Sequence, residues 1–172
     1  MTTILGVEYP DKAYLIADTL ISDGNVTYHD SRMSKITTSG QYLIGVAGDV
    51  GICNIINHIW KPPAPTVKDK NLFKFIITTV VPNLRDTLEK NQAKKDSEFQ
   101  IIIAIKGKIF EIDSDFATAV HHSGLYAIGS GGDYARGVLE YGATPREAIE
   151  ISAKLDPQTG GEFQEFEQWI RE

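Results

Sequence analysis

The sequence predicts an α+β fold in which helices cover both outer faces of two stacked β-sheets, a four-layer αββα sandwich. Strands and turns account for nearly all of the first 48 residues, and two helices, further strands and two more helices follow. The early strands carry apolar residues at successive positions, as strands that are buried on both faces do. Two pairs of helices need two apolar sheet faces to cover. Since no segment is typical of a linker and no repeat is present, one domain is predicted over residues 1–172.

The N-terminal part of the chain alternates between short apolar segments and turn residues. Tyr-Pro-Asp-Lys at residues 9–12 and Asp-Gly-Asn at residues 23–25 are typical turn sequences. Strands are therefore predicted at residues 2–7, 13–17, 26–29, 33–37 and 41–47.

Helical periodicity begins at residue 50. Isoleucines at positions 52, 55, 56 and 59 share one helix face, and Lys-Pro-Pro-Ala-Pro at residues 61–65 ends that helix. From Phe73 to Leu88 apolar residues recur three and four positions apart, which predicts a long helix with one apolar stripe. Pro82 lies inside this stripe and predicts a kink.

The second half of the chain repeats the order of strands followed by helices. A hairpin is predicted from residues 99–106 and 109–112, and a further strand at residues 125–128. Helices are predicted at residues 134–141 and 145–155. The second of these has the strongest start in the sequence, because Thr144, Pro145 and Glu147 supply the N-cap, the first helical position and a capping box.

Composition and charge exclude several classes of protein. Lys and Arg total 17 against 23 Asp and Glu, so the formal net charge is −6, and apolar residues make up 42%. A disordered chain would be poorer in apolar residues, and a nucleic-acid-binding protein would carry a basic face. The mixed run from Glu89 to Lys95 is typical of a solvated helix end. We expect no nucleic-acid partner.

Cysteine use and hydropathy predict a cytoplasmic protein. Cys53 is the one cysteine, so no internal disulfide forms, and its isoleucine neighbours favour a buried structural thiol over a nucleophile. The apolar run at residues 101–105 is much too short to cross a bilayer, and the N-terminus lacks the features of a signal peptide. We expect a soluble chain in a reducing compartment, with no membrane partner.

Three familiar motifs are incomplete in this sequence. Gly129-Ser130-Gly131-Gly132 follows a strand, but the third glycine of the dinucleotide fingerprint is replaced by Tyr134. His121 and His122 are adjacent, so on a strand they would point to opposite faces and could not easily share a metal. The Gly-x-Ser-x-Gly motif of serine hydrolases is absent. The sequence therefore predicts neither a metal nor an organic cofactor.

The N-terminus offers another kind of nucleophile. Removal of Met1 would leave Thr2 with a free α-amine and a hydroxyl on the same residue. The ordinary pKa of an α-amine is about 7.7–8.0. Near neutral pH a good part of it is therefore a base that can take the hydroxyl proton. Such a site also needs a cation, an anion to fix the cation, and backbone donors for the oxyanion. A threonine after methionine is commonplace, and alone it predicts nothing.

Several segments, in sequence order, resemble the catalytic half of the proteasome β-subunit superfamily. They are Met-Thr-Thr-Ile-Leu-Gly-Val at residues 1–7, Ile-Ala-Asp at 16–18, Ser-Lys-Ile at 34–36, Val-Ala-Gly-Asp-Val-Gly at 46–51, Tyr-Ala-Ile-Gly-Ser-Gly-Gly-Asp-Tyr-Ala at 126–135 and Asp-Pro-Gln-Thr-Gly at 156–160. The segment at residues 126–135 is especially similar to the bacterial HslV-type threonine peptidases. This resemblance implies an N-terminal-nucleophile hydrolase, whose αββα sandwich agrees with the fold predicted above.

The resemblance implies a role for each matching residue. Thr2 would be the nucleophile and its α-amine the general base. Asp18 would hold Lys35, whose ammonium would lower neighbouring pKa values, and the N–H of Gly48 would donate to the oxyanion. The polar network around the amine would consist of Ser130, Asp156 and Thr159.

Substrate and partners are also implied by the resemblance. The reaction would be endopeptide hydrolysis through an acyl ester on Thr2, without a cofactor. Ile21, Val46 and Val50 would flank the first specificity pocket, so we expect an apolar residue before the scissile bond. The implied partners are further copies of this chain in a ring or stacked rings, unfolded polypeptide substrates and an ATPase unfoldase.

The sequence departs from the family pattern in three places. Residues 25–35 are one residue longer than the family's segment, and Thr159 stands where the proteasome has serine. The family closes with β-strands, whereas Phe163, Phe166 and Trp169 recur every three residues and favour a short C-terminal helix.

Two other functions stay open. A ring-forming subunit with a degenerate or uncleaved N-terminus would be an inactive scaffold or assembly factor. A small-molecule amidase could also use this fold, since a fold alone does not fix the substrate. The peptidase mechanism requires removal of Met1, because a retained methionine leaves Thr2 without a free amine. We expect no longer propeptide before Thr2.

Overall fold

The computed structural model describes residues 2–23, 26–28, 33–94 and 96–170, which form the predicted αββα sandwich. The strands are β1 (Thr3–Glu8), β2 (Lys12–Asp18), β3 (Ile21–Asp23), β4 (Val26–Tyr28), β5 (Ile36–Ser39), β6 (Tyr42–Gly48), β7 (Phe99–Ile105), β8 (Lys108–Asp113), β9 (Thr118–Ala119), β10 (Leu125–Gly129) and β11 (Phe163–Trp169). The helices are α1 (Val50–His58), α2 (Leu72–Phe75), α3 (Val81–Lys90), α4 (Gly132–Glu140) and α5 (Pro145–Leu155).

Two antiparallel sheets form the inner layers of the sandwich. Their strand orders are β10-β1-β2-β11 and β5-β6-β7-β8-β9, and β3 and β4 form a separate hairpin. In the first sheet Thr3 pairs with Gly129 of β10, while Ile4 pairs with Ala17 of β2. The first strand of the chain is therefore an interior strand, and Thr2 lies at its end.

Three apolar layers join the sheets and helices. One lies between the five-stranded sheet and α1–α3, one between the two sheets, and one between the four-stranded sheet and α4–α5. Each sheet is thus covered on both faces, which explains its unbroken apolar runs. All five residues at positions 101–105 are fully buried, because alternate side chains enter different layers.

The predicted long helix is divided into three parts. Between α2 and α3 lies a π-helical turn, Ile76–Val80, and Pro82 is the second residue of α3. Proline has no N–H, so the regular hydrogen-bond ladder is interrupted at this point. Each helix in the described part of the chain is too short or too polar to span a membrane.

The expectation of a C-terminal helix is wrong, because residues Phe163–Trp169 form β11, which pairs antiparallel with β2. Phe163 packs on the layer of α4 and α5, whereas Phe166 packs between the sheets. Odd and even positions of this strand therefore both meet apolar layers. A three-residue spacing of aromatic residues is compatible with that arrangement.

The predicted strand at residues 33–37 begins later, at Ile36 of β5. The Ser34 hydroxyl donates to the Ile36 carbonyl, a local bond that competes with strand pairing. Lys35 turns its side chain inward instead. The short β9 is not predicted by the sequence. The described residues do not include Met1 of the processing step, Gly24 and Asn25 of the predicted turn, His29 of a predicted strand or Lys95 of the helix end.

Candidate active site

Thr2 borders a cleft of about 380 Å³ at the end of β1. The same cleft is lined by Gly48 at the end of β6, by Gly129 at the end of β10 and by Ser130, which follows it. Thr2 itself is only 7% exposed. The structure thus brings the predicted nucleophile together with the predicted oxyanion donor and one member of the predicted polar network.

Asp18 and Lys35 form a buried ion pair beside the same end of β1. Lys35 Nζ is 2.7 Å from Asp18 Oδ1 and also donates to the carbonyl of Leu20 at 2.6 Å. The same Oδ1 accepts the backbone N–H of Thr3 at 2.8 Å, and Oδ2 accepts the N–H of Gly160 at 3.0 Å. The carboxylate therefore links the cation to the peptide bond that follows Thr2.

The environment of Lys35 lowers the pKa of its ammonium group. Burial of the ammonium lowers the pKa of Lys35, and the nearby Asp18 carboxylate opposes that effect without cancelling it. A buried cation without an anion would be costly, so Asp18 is what keeps a charged lysine at this position.

Ser130, Asp156 and Thr159 are joined in the predicted network. The hydroxyls of Ser130 and Thr159 each donate to Asp156 Oδ2 at 2.7 Å. Ser130 Oγ also lies 3.5 Å from the carbonyl oxygen of Thr2. The substitution of serine by Thr159 therefore preserves the hydroxyl contact, and the extra methyl group does not prevent it.

These hydrogen bonds change the acidity of Asp156. Burial disfavours its charged form, but the bonds from Ser130, Thr159 and the N–H of Gln158 outweigh burial and hold its pKa below the usual value. A carboxyl with a lowered folded-state pKa stabilises the fold above its unfolded pKa of about 3.9. That contribution is lost as the pH falls through the lower, folded-state pKa.

Asp156→Asn should therefore be most destabilising near neutral pH, with the difference from the wild type shrinking below about pH 4. Urea unfolding followed from about pH 3 to pH 7 measures this difference. Asp86→Asn, exposed on α3, is the matched control and should leave the pH profile unchanged. A pH-independent effect of Asp156→Asn would contradict the role of its charge.

Two further polar residues complete the network, and sequence reasoning missed both. Thr3 Oγ1 lies 2.6 Å from the hydroxyl of Thr159 and 3.3 Å from that of Ser152, which donates to the carbonyl of Gly131 at 2.8 Å. Thr3 and Ser152 are fully buried. The available signal was Ser152, a polar residue on the apolar face of α5.

The backbone packs closely around two glycines that line the cleft, Gly48 and Gly129. Gly48 has φ +131°, and a Cβ there would lie 2.3 Å from the carbonyl oxygen of Glu98. Gly129 has φ +88°, and a Cβ there would lie 1.9 Å from the carbonyl oxygen of Thr2. Glycine is therefore required at both positions by conformation and by space.

The predicted pocket residues lie apart from this cleft. Ile21 begins β3 and is partly buried, Val46 of β6 is 1% exposed, and Val50 at the start of α1 is half-exposed. Cys53 is partly buried, with its thiol 3.9 Å from the Gly48 carbonyl. Burial raises the pKa of Cys53 to about 11, so the thiol is protonated at neutral pH, as expected of a structural cysteine.

Potential metal ligands are dispersed in the part of the chain that the structure describes. Among the described residues, no three His, Cys, Asp or Glu side chains lie where they could hold a metal ion. His121 lies in the loop between β9 and β10 and bonds Glu111 at 2.9 Å. What surrounds Thr2 is a hydroxyl, a buried cation with its anion, and a network of hydroxyls on a carboxylate.

Comparisons with known proteins identify the family and the fold of the chain. A family model described as "Proteasome subunit" matches residues 1–155. No curated protein matches the sequence. Among solved structures, the chain is similar to BPH of Thiobacillus denitrificans in complex with epoxomicin, with a TM-score of 0.79 and 21% identity over 99% of this chain and 100% of that one.

A second structure of Thiobacillus denitrificans BPH is also similar, with a TM-score of 0.76 and 21% identity over 98% of both chains. Eukaryotic HslV from Trypanosoma brucei matches with a TM-score of 0.72 and 20% identity, over 96% of this chain and 98% of that one. These structures share the fold of the chain along almost its whole length. Together with the family model, which matches most of the sequence, they lead to one conclusion: the chain belongs to the proteasome subunit family.

Proposed function

We propose that the chain is a threonine-type endopeptidase whose nucleophile is Thr2 after removal of Met1. The observation that carries this proposal is the placement of Thr2. It borders a cleft, its following peptide N–H donates to the buried lysine–aspartate pair, and its carbonyl oxygen lies 3.5 Å from Ser130 of the hydroxyl–carboxylate network. The packing of a β-strand requires neither a buried ion pair nor a hydroxyl–carboxylate network at its end.

In the first step, the α-amine of Thr2 takes the proton of its own hydroxyl, directly or through water, and the oxygen attacks the substrate carbonyl. Lys35 stabilises the developing negative charge, while Asp18 keeps that lysine oriented. The N–H of Gly48 donates to the tetrahedral oxyanion. The amine then passes its proton to the departing amine of the substrate, which leaves an acyl ester on Thr2.

In the second step, a water molecule attacks the acyl ester while the α-amine takes its proton. The ester bond then breaks, the amine returns that proton to the Thr2 oxygen, and the acid product leaves. Ser130, Thr159 and the Asp156 carboxylate orient the amine and stabilise its protonated form. The cycle needs no metal or organic cofactor. We propose an apolar residue before the scissile bond, with Ile21, Val46 and Val50 flanking the pocket that would receive it.

The proposal also includes the oligomeric assembly of the chain and its cellular compartment. The chain would act in the cytoplasm as one subunit of a homo-oligomeric ring or stacked rings that cleaves unfolded polypeptides, with an ATPase unfoldase as a further partner. The similarity to HslV and BPH supports this arrangement. It is also consistent with the size of the chain, because 172 residues cannot enclose a chamber alone.

Intact mass and covalent labelling test the proposal together. The purified native protein should lack Met1, and a peptide epoxyketone, the class of the epoxomicin bound by the similar BPH, should add its mass at Thr2. Thr2→Ala should abolish labelling and lower the cleavage of an apolar-residue peptide roughly 10³-fold or more. Thr38→Ala, exposed on β5, is the matched control.

Each contrary outcome has a definite meaning. A retained Met1, or labelling that persists in Thr2→Ala, would refute the mechanism. A processed Thr2 without labelling or cleavage would favour the scaffold function, and amide hydrolysis without peptide cleavage would favour the amidase. Faster cleavage after basic or acidic residues would overturn the apolar preference.

A further inference from the structure

The cleft beside Thr2 extends past the residues of the proposed reaction. Glu98, directly before β7, Gln100 within it, and Asp113 and Ser114 at the end of β8 also line this cleft. None of its lining residues is a lysine, arginine or histidine. The lining therefore includes two acidic residues and no basic side chain.

Neither carboxylate is neutralised by the part of the chain that the structure describes. Glu98 and Asp113 form no ion pair with those residues. Asp113 Oδ1 accepts the backbone N–H groups of Asp115 and Ala117 at 2.9 and 3.0 Å, which holds its side chain in place. The charge of Asp113 is thus held at the cleft, and that of Glu98 adds to it without an ion pair among the described residues.

The position of this region relative to Thr2 identifies the part of a substrate that reaches it. β1 lies between β2 and β10, and the ion pair of Asp18 and Lys35 is on the β2 side. Gly129 and Ser130 line the cleft on the β10 side, and Ser130, 3.5 Å from the Thr2 carbonyl oxygen, belongs to the network that orients the amine in the proposed reaction. In the proposed reaction that amine hands its proton to the leaving group. Substrate residues after the scissile bond therefore lie towards the cleft.

We propose that the cleft is a subsite for a basic side chain in one of the two positions after the scissile bond, with Glu98 and Asp113 as its counter-charges. Gln100 is fixed by accepting the N–H of Gly129 at 2.9 Å and forms part of the same lining. This inference rests on the proposed function, and it adds a charge preference on the leaving-group side to the apolar preference before the bond.

A peptide series with one sequence up to the scissile bond tests the subsite. Lysine, alanine or glutamate occupies the two positions that follow the bond. We expect kcat/KM to be about tenfold higher for lysine than for glutamate, with alanine between them. Each pair of a substrate lysine with a carboxylate would stay partly exposed to water. Added salt should therefore screen the attraction and reduce the difference in kcat/KM between the peptides.

Glu98→Gln combined with Asp113→Asn should abolish the charge preference. The amide oxygen of asparagine can still accept the N–H groups of Asp115 and Ala117, so the turn is retained. Labelling by the epoxyketone, whose peptide part ends at the reactive carbonyl, shows that this variant folds and is processed. Asp86→Asn combined with Glu89→Gln makes the same change of charge on α3 and should retain the preference.

The outcomes separate this inference from the proposed function. Equal cleavage of all three peptides by an enzyme that is labelled and active would overturn the subsite alone. A preference that survives in the double variant would overturn the assignment to Glu98 and Asp113. Absence of both labelling and cleavage in the wild type, with Thr2 processed, would overturn the proposed function and the subsite together.

Discussion

Lys35→Met is expected to lower the free energy of unfolding by about 3–5 kcal/mol and to abolish the proposed peptidase activity. Asp18 is fully buried, and the ammonium of Lys35 lies 2.7 Å from its Oδ1. Methionine fills a similar volume without a charge. The carboxylate then stays buried with the N–H donors of Thr3 and Gly160 but without its cation. Urea unfolding and epoxyketone labelling measure the two effects.

The double variant Asp18→Asn/Lys35→Met separates stability from catalysis. A neutral amide replaces the uncompensated charge, so much of the lost stability should return. Labelling should stay absent, because no cation is left to stabilise the Thr2 oxygen. If the double variant recovered labelling as well as stability, Lys35 would be a structural residue and the proposed mechanism would lose its cation.

Gly129→Ala is expected to lower the free energy of unfolding by about 4 kcal/mol and to displace the nucleophile. Its φ of +88° is unfavourable for alanine, and the new Cβ would lie 1.9 Å from the carbonyl oxygen of Thr2. Because that atom belongs to the backbone of the first residue of the proposed mature chain, the strand end must move. We expect epoxyketone labelling to fall together with stability.

Gly142→Ala is the matched control for this substitution. Gly142 has φ +101°, and a Cβ there would meet no atom within 4 Å. It therefore carries the cost of the backbone conformation alone, about 1–2 kcal/mol, and should be labelled normally. Equal free energies of unfolding for the two alanine variants would contradict this prediction. They would show that the backbone of Thr2 can move away from the new Cβ without loss of stability.

Periodicity predicted the layers and most of the elements because the signals were local. Thr144 accepts the N–H of Glu147, whose carboxylate accepts the N–H of Thr144, as the capping-box sequence predicts. Apolar residues at successive positions predicted the buried strands. The C-terminal strand was missed because Phe163 and Phe166 enter different layers, which no single-face pattern describes.

The candidate site was predicted through resemblance rather than periodicity. Asp18, Lys35 and Asp156 are unremarkable residues in their local sequence, and only the fold brings them near Thr2. Thr3 and Ser152 were missed because they interact 149 positions apart in the chain. Glu98 and Asp113 were missed for a similar reason, since β7 and β8 reach the cleft from the other sheet.

The order of the strands has a consequence for when the proposed active site could form during synthesis. Thr3 pairs with Gly129, and its hydroxyl contacts Thr159, so the surroundings of the first strand are made by residues near the end of the chain. At a synthesis rate of roughly 5–20 residues per second, about 8–30 s separate Thr3 from Thr159 on the ribosome. A nascent chain would therefore present its N-terminal threonine without the partners that activate it. The proposed site could therefore form only after residue 159 has been synthesised.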